Sequence, residues 1–396
     1  MTNGSLLSFY QDNKFNPVPI ALDSQSAWES QVAKRCNLYK RHLGIPLSLL
    51  NNQPVLEFGC NSGENALVLA ANGANLTLVE PNDQVLPRLR ELFQRYDLQK
   101  QIVDLRTETI AQFETQKRFS LIIAEGFLPF ISNREEMLNK IISFLAPGGI
   151  LVINFVDRFG SLLEMTRGLI FRRACQLANV EVNSNLALDI ALKLFGEDFT
   201  RSNASRPFQA WITDNFVDPY FTSHWLWSYQ EIIPLIEAAG CEVHSTSPVW
   251  SSLDHFSWYK NTQKTRQLHT KFMETWTNMF LYILTGLSST GLLCKPPSQE
   301  VIDAVKYLTN SATDYSKIDF LSLSDLKYPV ELEQYLRSVN VPEIGELNSE
   351  LIQIFEAIIS SDMDKLIKTY QNSKQTRQLW GTPMHYLRVD KLQNKL

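Results

Sequence analysis

Between Gln53 and Asp157 short apolar runs alternate with amphipathic stretches. Val55-Leu56-Glu57-Phe58, Leu76-Thr77-Leu78-Val79, Ile102-Val103-Asp104-Leu105, Phe119-Ser120-Leu121-Ile122-Ile123 and Ile150-Leu151-Val152-Ile153 read as buried strands. Between them Ala66–Asn72, Val85–Tyr96 and Glu135–Leu145 read as helices. Alternation of this kind predicts a parallel sheet with helices on both faces. Upstream, Asn16-Pro17-Val18-Pro19 predicts an extended arm, and Trp28, Val32, Cys36 and Tyr39 recur at helical spacing within Ala27–Leu43. Downstream, Leu162–Leu177, Leu186–Phe195 and Tyr229–Ala239 read as helices, the last stopped by Gly240. Cys241-Glu242-Val243-His244 reads as a sixth strand, followed by helices at Leu268–Leu284, Glu300–Leu308 and Glu350–Tyr370. A late edge strand is expected either at His385–Val389 or at His255–Tyr259, and the pattern does not choose between them. No internal repeat or low-complexity segment interrupts this order.

The chain has 396 residues, enough for two or three domains. The change of texture divides it into an arm and helix (1–50), an α/β core (51–160), an insertion completing the sheet (161–260) and a helical C-terminal region (261–396). Apolar residues make up 44% and charged residues 20%, as in ordinary globular proteins. A net charge of −5 without a basic block argues against nucleic acid as a partner. Cys36, Cys60, Cys175, Cys241 and Cys294 are scattered and never paired as CxxC, which argues against a disulfide framework or a zinc knuckle. Met1-Thr2-Asn3-Gly4-Ser5 lacks the charged start of a secretory signal, and the longest apolar run, Met279–Leu287, is too short to span a bilayer. The expectation is a cytoplasmic protein with no membrane partner.

The strongest local feature is Val55-Leu56-Glu57-Phe58-Gly59-Cys60-Asn61-Ser62-Gly63-Glu64-Asn65: a strand, a glycine turn, then a helix. Glycines serve where the backbone turns sharply and a ligand approaches it closely. The next strand ends in Glu80, 21 residues after Gly59, where a carboxylate can accept both hydroxyls of a ribose. Together these specify an adenosine-type cofactor at the carboxyl end of the sheet.

The region 53–157 resembles the class I S-adenosylmethionine-dependent methyltransferases. The resemblance rests on Glu57-Phe58-Gly59-Cys60-Asn61-Ser62-Gly63, Val79-Glu80-Pro81-Asn82, Thr107-Glu108-Thr109-Ile110, Ile122-Ile123-Ala124-Glu125-Gly126 and Leu145-Ala146-Pro147-Gly148-Gly149-Ile150-Leu151-Val152. It implies an α/β fold: a Rossmann-like class I sheet with an aromatic-rich insertion and a mostly helical C-terminal extension. It implies S-adenosyl-L-methionine as cofactor and S-adenosyl-L-homocysteine as product. By resemblance, Glu57 and the backbone of Gly59 and Cys60 would hold the methionine part, with Asn61, Gly63 and Pro81 in the same turns. Glu80 would hold the ribose, Asn82 would lie along the adenine, and Glu108 with the Thr109 amide would meet the adenine edge. Glu125 and Gly126 would border the transfer site, and Arg35 and Tyr39 would reach the cofactor carboxylate. Asn61-Ser62 stand where the family often has a middle glycine.

The acceptor is less legible. Twelve aromatics lie between Phe208 and Thr262, and six of the eight tryptophans between Trp211 and Trp276. This stretch is either a water-excluding lid over an enclosed small-molecule acceptor or a core joining two parts of the chain. A peptide or protein acceptor remains the alternative. Oxygen methylation needs a base, for which His255 beside Asp254 is the first candidate, followed by Asp214 and His224, with Asp157 also on the rim. No His/Asp/Glu cluster has metal-ligand spacing, so no metal is expected. Two rivals stand beside this reading. A nicotinamide-dependent oxidoreductase is opposed by the acid at Glu57 and by Pro147-Gly148-Gly149, and an inactive methyltransferase-like binding protein by the intact Glu57, Gly59, Gly63 and Glu80 set.

Overall fold

Five of the strands form a parallel stack, β1 (Pro54–Phe58), β2 (Asn75–Val79), β3 (Ile102–Arg106), β4 (Phe119–Ala124) and β5 (Leu145–Asp157). Four of them are largely buried, but β3, expected to be a buried strand, lies at the end of the strand order and none of its residues is buried, Val103 being 56% exposed. The computed structural model describes residues 6–13, 20–202, 206–249, 265–287, 295–318 and 326–392. The sheet is completed by β6 (Leu226–Trp227), β7 (Cys241–Ser247) and β8 (Met384–Lys391), in the order β3-β2-β1-β4-β5-β8-β7, with β6 beside the end of β5. β7 and β8 pair antiparallel, Val243 against Val389.

The segment His385–Val389 is therefore a strand, but not the edge strand expected of it: it lies between β5 and β7. Its inward residues His385, Leu387 and Val389 are fully buried, which an interior position requires. The rival segment His255–Tyr259 and the arm Asn16–Pro19 lie outside the described residues.

The chain forms two compact units. The first comprises residues 1–155, 229–275 and 385–396, and the second 156–228 and 276–384. In the first unit a continuous core joins Val55, Leu67, Leu76, Leu89, Ile123 and Val152, with Tyr39 and Leu43 packed into it.

In the second unit the helix Leu162–Leu177 is buried along almost its whole length. Around it Phe195, Phe199, Trp211, Phe216 and Trp380 form an aromatic cluster, edge-to-face except for the stacked Phe199–Trp211 pair. Trp211, Trp225, Trp227 and Trp276 are all buried. In these tryptophans the aromatic-rich stretch is core packing; Trp250 and Trp258 lie outside the described residues.

Two long helices expected from periodicity are each broken. Glu350–Tyr370 is split into Pro342–Ile359 and Met363–Asn372, because the Asp362 side chain accepts a hydrogen bond from the Lys365 amide and starts a new helix. Leu268–Leu284 is likewise Thr265–Asn278 and Phe280–Thr285.

Candidate active site

Parallel register sets the site. Phe58 pairs with Val79 of β2 and with Ala124 of β4, and Ala124 pairs with Ile153 of β5. The next residue on each strand, Gly59, Glu80, Glu125 and Asn154, then falls on one row at the carboxyl edge. This is also where strand order reverses, β1 having β2 on one side and β4 on the other, the crevice in which open α/β sheets bind ligands.

The turn after β1 is built by left-handed residues: Gly59 (φ +67°), Asn61 (φ +47°) and Gly63 (φ +84°). A side chain at Gly59 would meet the Phe127 ring at 2.6 Å, so glycine here is required by space as well as by φ. Gly63 caps the helix Glu64–Ala71. Asn61 occupies the family's middle-glycine position in the same left-handed conformation, as asparagine does more readily than most residues.

Glu80 is buried, and its two oxygens accept from the backbone amides of Asn61 (2.7 Å) and Asn82 (2.8 Å). It ties the glycine turn to the turn after β2. Burial pushes its carboxyl up, and the two amides pull it back. Asn82 is itself a cap, its Oδ1 accepting from the Gln84 amide.

A second set of groups comes from the helix Gln25–Cys36, which continues as a π-helical turn over Asn37–His42. Such turns often occur at functional sites. Arg35 and Tyr39 project together into the first unit, the guanidinium 4.6 Å above the tyrosine ring and bonded to its hydroxyl. Arg35 grips Glu125 with both terminal nitrogens (2.9 and 2.6 Å), and the Tyr39 hydroxyl reaches the same carboxylate at 3.2 Å. Asn154 accepts from the Gly126 amide at 2.6 Å.

Glu57 is buried on β1, and its Oε2 has no hydrogen-bond partner. Burial first, then the negative charge of Glu125, pushes its carboxyl up to about 8. The Nε of Arg35 is likewise buried without a partner. Beside the glycine turn there are thus an unsatisfied acid oxygen and an unsatisfied guanidinium N–H, one fitted to a cation and the other to an anion.

A family model described as a methyltransferase domain matches residues 29–246, more than half of the chain. The chain belongs to this methyltransferase family. It is a family of S-adenosyl-L-methionine-dependent enzymes. Among curated proteins, the chain is 23% identical over 104 residues to the ubiquinone biosynthesis O-methyltransferase of Rickettsia typhi (strain ATCC VR-144 / Wilmington), covering 26% of this chain and 41% of that protein. The enzyme of the same name from Rickettsia akari (strain Hartford) is 23% identical over 121 residues, covering 30% and 44%. The chain thus spans less than half the length of these relatives. Among solved structures, the CcbJ methyltransferase from Streptomyces caelestis aligns with a TM-score of 0.30 at 20% identity, over 41% of this chain and 60% of that one.

Of the residues expected to hold the cofactor, the fold brings Arg35, Tyr39, Glu57, Gly59, Cys60, Asn61, Gly63, Glu80, Pro81, Asn82, Glu125 and Gly126 into one region of the first unit. Cys60 is buried there, and burial beside Glu57 and Glu80 pushes its thiol well up, so it is an inert wall residue. Glu108 is half-exposed and 3.5 Å from Arg106, while the Thr109 amide donates to Gln112 Oε1.

The base candidates fare differently. Asp214 is paired with Arg206 at 2.6 Å within the second unit, and His224 sits in a short 3-10 turn there. The Asp157 carboxylate is buried and accepts from the Phe159 and Gly160 amides, a structural cap. Asp254 and His255 lie outside the described residues. Among the described residues no group of three His, Cys, Asp or Glu is placed to hold a metal, and no helix is long and apolar enough to cross a membrane.

Sequence reasoning missed Asn154 and Tyr386. Side-chain hydrogen bonds with Asn154 and Arg35 place the Tyr386 hydroxyl beside Glu125, where burial pushes it up to about 12. A polar Asn inside the apolar run of β5 was a readable signal. Tyr386 had none, because its neighbours are set by strand pairing alone.

Proposed function

We propose that the protein transfers a methyl group from S-adenosyl-L-methionine to an oxygen or nitrogen of a small molecule, oxygen being favoured by the likeness to the two ubiquinone biosynthesis O-methyltransferases. The observation that carries the reading is the pair of buried, unsatisfied atoms beside the glycine turn, Glu57 Oε2 and Arg35 Nε. They suit the ammonium and carboxylate of an amino-acid end. When bound, the cofactor supplies an electrophilic methyl on a sulfonium.

The chain's own residues bind and orient. Glu80 has both oxygens already aimed along the turn and is proposed to receive the ribose hydroxyls, Asn82 to flank the adenine, and Glu108 and the Thr109 amide to meet its edge. For the Thr109 amide this requires Gln112 to release it. Gly59, Cys60, Asn61, Gly63 and Pro81 shape the cradle, with Glu125 and Gly126 at its transfer end. The base for an oxygen acceptor is proposed to be His255, beside Asp254.

Calorimetric titration with S-adenosyl-L-homocysteine tests this. The expected result is saturable binding weakened at least about tenfold in Glu80→Gln, which keeps size but loses a charged acceptor. Absence of binding, with NADH binding instead, would favour the oxidoreductase rival.

A further inference from the structure

The groups facing Glu57 come from every element packed around it. Glu80 arrives from the end of β2, Glu125 from the end of β4, Arg35 and Tyr39 from the N-terminal helix and its π turn, and Cys60 from the glycine turn. Glu64 lies beyond Cys60, and Tyr386 of β8 stands by Arg35 and Glu125. The positive charge in this set is Arg35, and both of its terminal nitrogens are committed to Glu125. Glu80 is held by two backbone amides. Glu57 is 4% exposed and one of its oxygens has no partner, and the charge of Arg35 offsets only part of the cost of burial and of the acids Glu125 and Glu80. A buried carboxylate so incompletely compensated is costly, so the group keeps its proton until a further cation is supplied.

We propose that Glu57 carries a proton while the site is empty and gives it up when the cofactor's ammonium arrives, so that Glu57 selects cofactors bearing a free amino group and their binding releases a proton. The proposal rests on the cofactor reading above. The O–H bond of Glu57 breaks, its electron pair stays on the carboxylate, and the proton passes to buffer; nothing is oxidised or reduced. The raised position of this carboxyl, about 8, agrees with a protonated resting state at neutral pH. The sign follows. The empty site binds one more proton than the occupied site below about 8, so affinity rises with pH towards that point and declines above it as the ligand's own α-amino group loses its proton.

The test is calorimetric titration of the full chain with S-adenosyl-L-homocysteine at about pH 6.5, where an α-amino group is still charged, in buffers of different ionisation enthalpy. Close to one proton is expected to be released per ligand, with Kd falling about tenfold per pH unit below neutrality. 5′-Methylthioadenosine, which has the thioether but no amino acid, is expected to bind without proton release, as is S-adenosyl-L-homocysteine to Glu57→Gln. Binding of S-adenosyl-L-homocysteine with no proton release, or equal release in Glu57→Gln, overturns the proposal. If Glu57→Gln does not fold, infrared difference spectra of the wild type decide: a protonated-carboxyl band must disappear on adding ligand. Failure of S-adenosyl-L-homocysteine to bind at any pH would instead remove the cofactor reading itself.

Discussion

At the scale of single residues the site is governed by space and charge within the first unit. Gly59 and Gly126 have similar positive φ, yet a Cβ at Gly59 strikes the Phe127 ring at 2.6 Å while one at Gly126 meets nothing within 4 Å. Gly126→Ala is therefore expected to cost only the left-handed penalty, about 1–2 kcal/mol. Gly59→Ala adds overpacking, for a total of roughly 2–5 kcal/mol. Thermal melts of the two variants check the difference, and Phe127→Ala should restore the steric part of Gly59→Ala but not the backbone part. The glycine turn, Glu57 and Glu80 were legible because each lies within a local strand–turn pattern. The Arg35–Glu125 pair was not, since residues 90 apart meet only when the helix Gln25–Cys36 folds back onto the end of β4.

At the scale of elements, the decisive piece is β8. Arg388 donates to the carbonyls of Leu43 and Gly44, and Lys391 to those of Ile142 and Leu145, so the strand is fastened to the N-terminal segment, to the end of the helix before β5 and to the start of β5 itself. Val389 is fully buried, whereas Met384 at the strand's start is 46% exposed. Val389→Asp is expected to abolish cooperative unfolding, because an unpaired buried carboxylate costs on the order of several kcal/mol. Met384→Asp should shift the melting temperature by a degree or two at most, within the usual range for surface changes. Circular dichroism melts distinguish these outcomes. The helix Leu162–Leu177 was read at its observed bounds, since its ends coincide with a change of texture. The break at Asp362 was not read, because apolar periodicity runs across a cap that only a side chain–backbone bond creates.

For the whole molecule, the second unit has its own polar keystone. Arg167 is fully buried, bonded to the Tyr370 hydroxyl (3.2 Å) and the Thr376 and Leu379 carbonyls, with its guanidinium 3.9 Å from the centre of the Trp380 ring. Arg167→Met strands two buried carbonyls and is expected to destabilise by about 3–5 kcal/mol. At a temperature where the variant is still folded, its affinity for S-adenosyl-L-homocysteine should stay within about twofold, since every residue proposed to hold the cofactor in the described structure belongs to the first unit. Calorimetry below the transition, combined with a melt, tests both halves of that statement.

The amino-acid sequence alone determined the parallel core, the glycine turn, the acids at 57 and 80 and the kind of cofactor they suit. All of these are properties of contiguous residues, written in strand and helix periodicity. Tertiary structure alone decided that the last strand lies inside the sheet and that Arg35 is spent on Glu125. It also decided that Asn154 and Tyr386 join them and that Glu57 is left buried with one carboxylate oxygen unpartnered. Those outcomes depend on which strands lie side by side and in what register, and in a chain whose sheet strands lie up to hundreds of residues apart no local pattern encodes that choice.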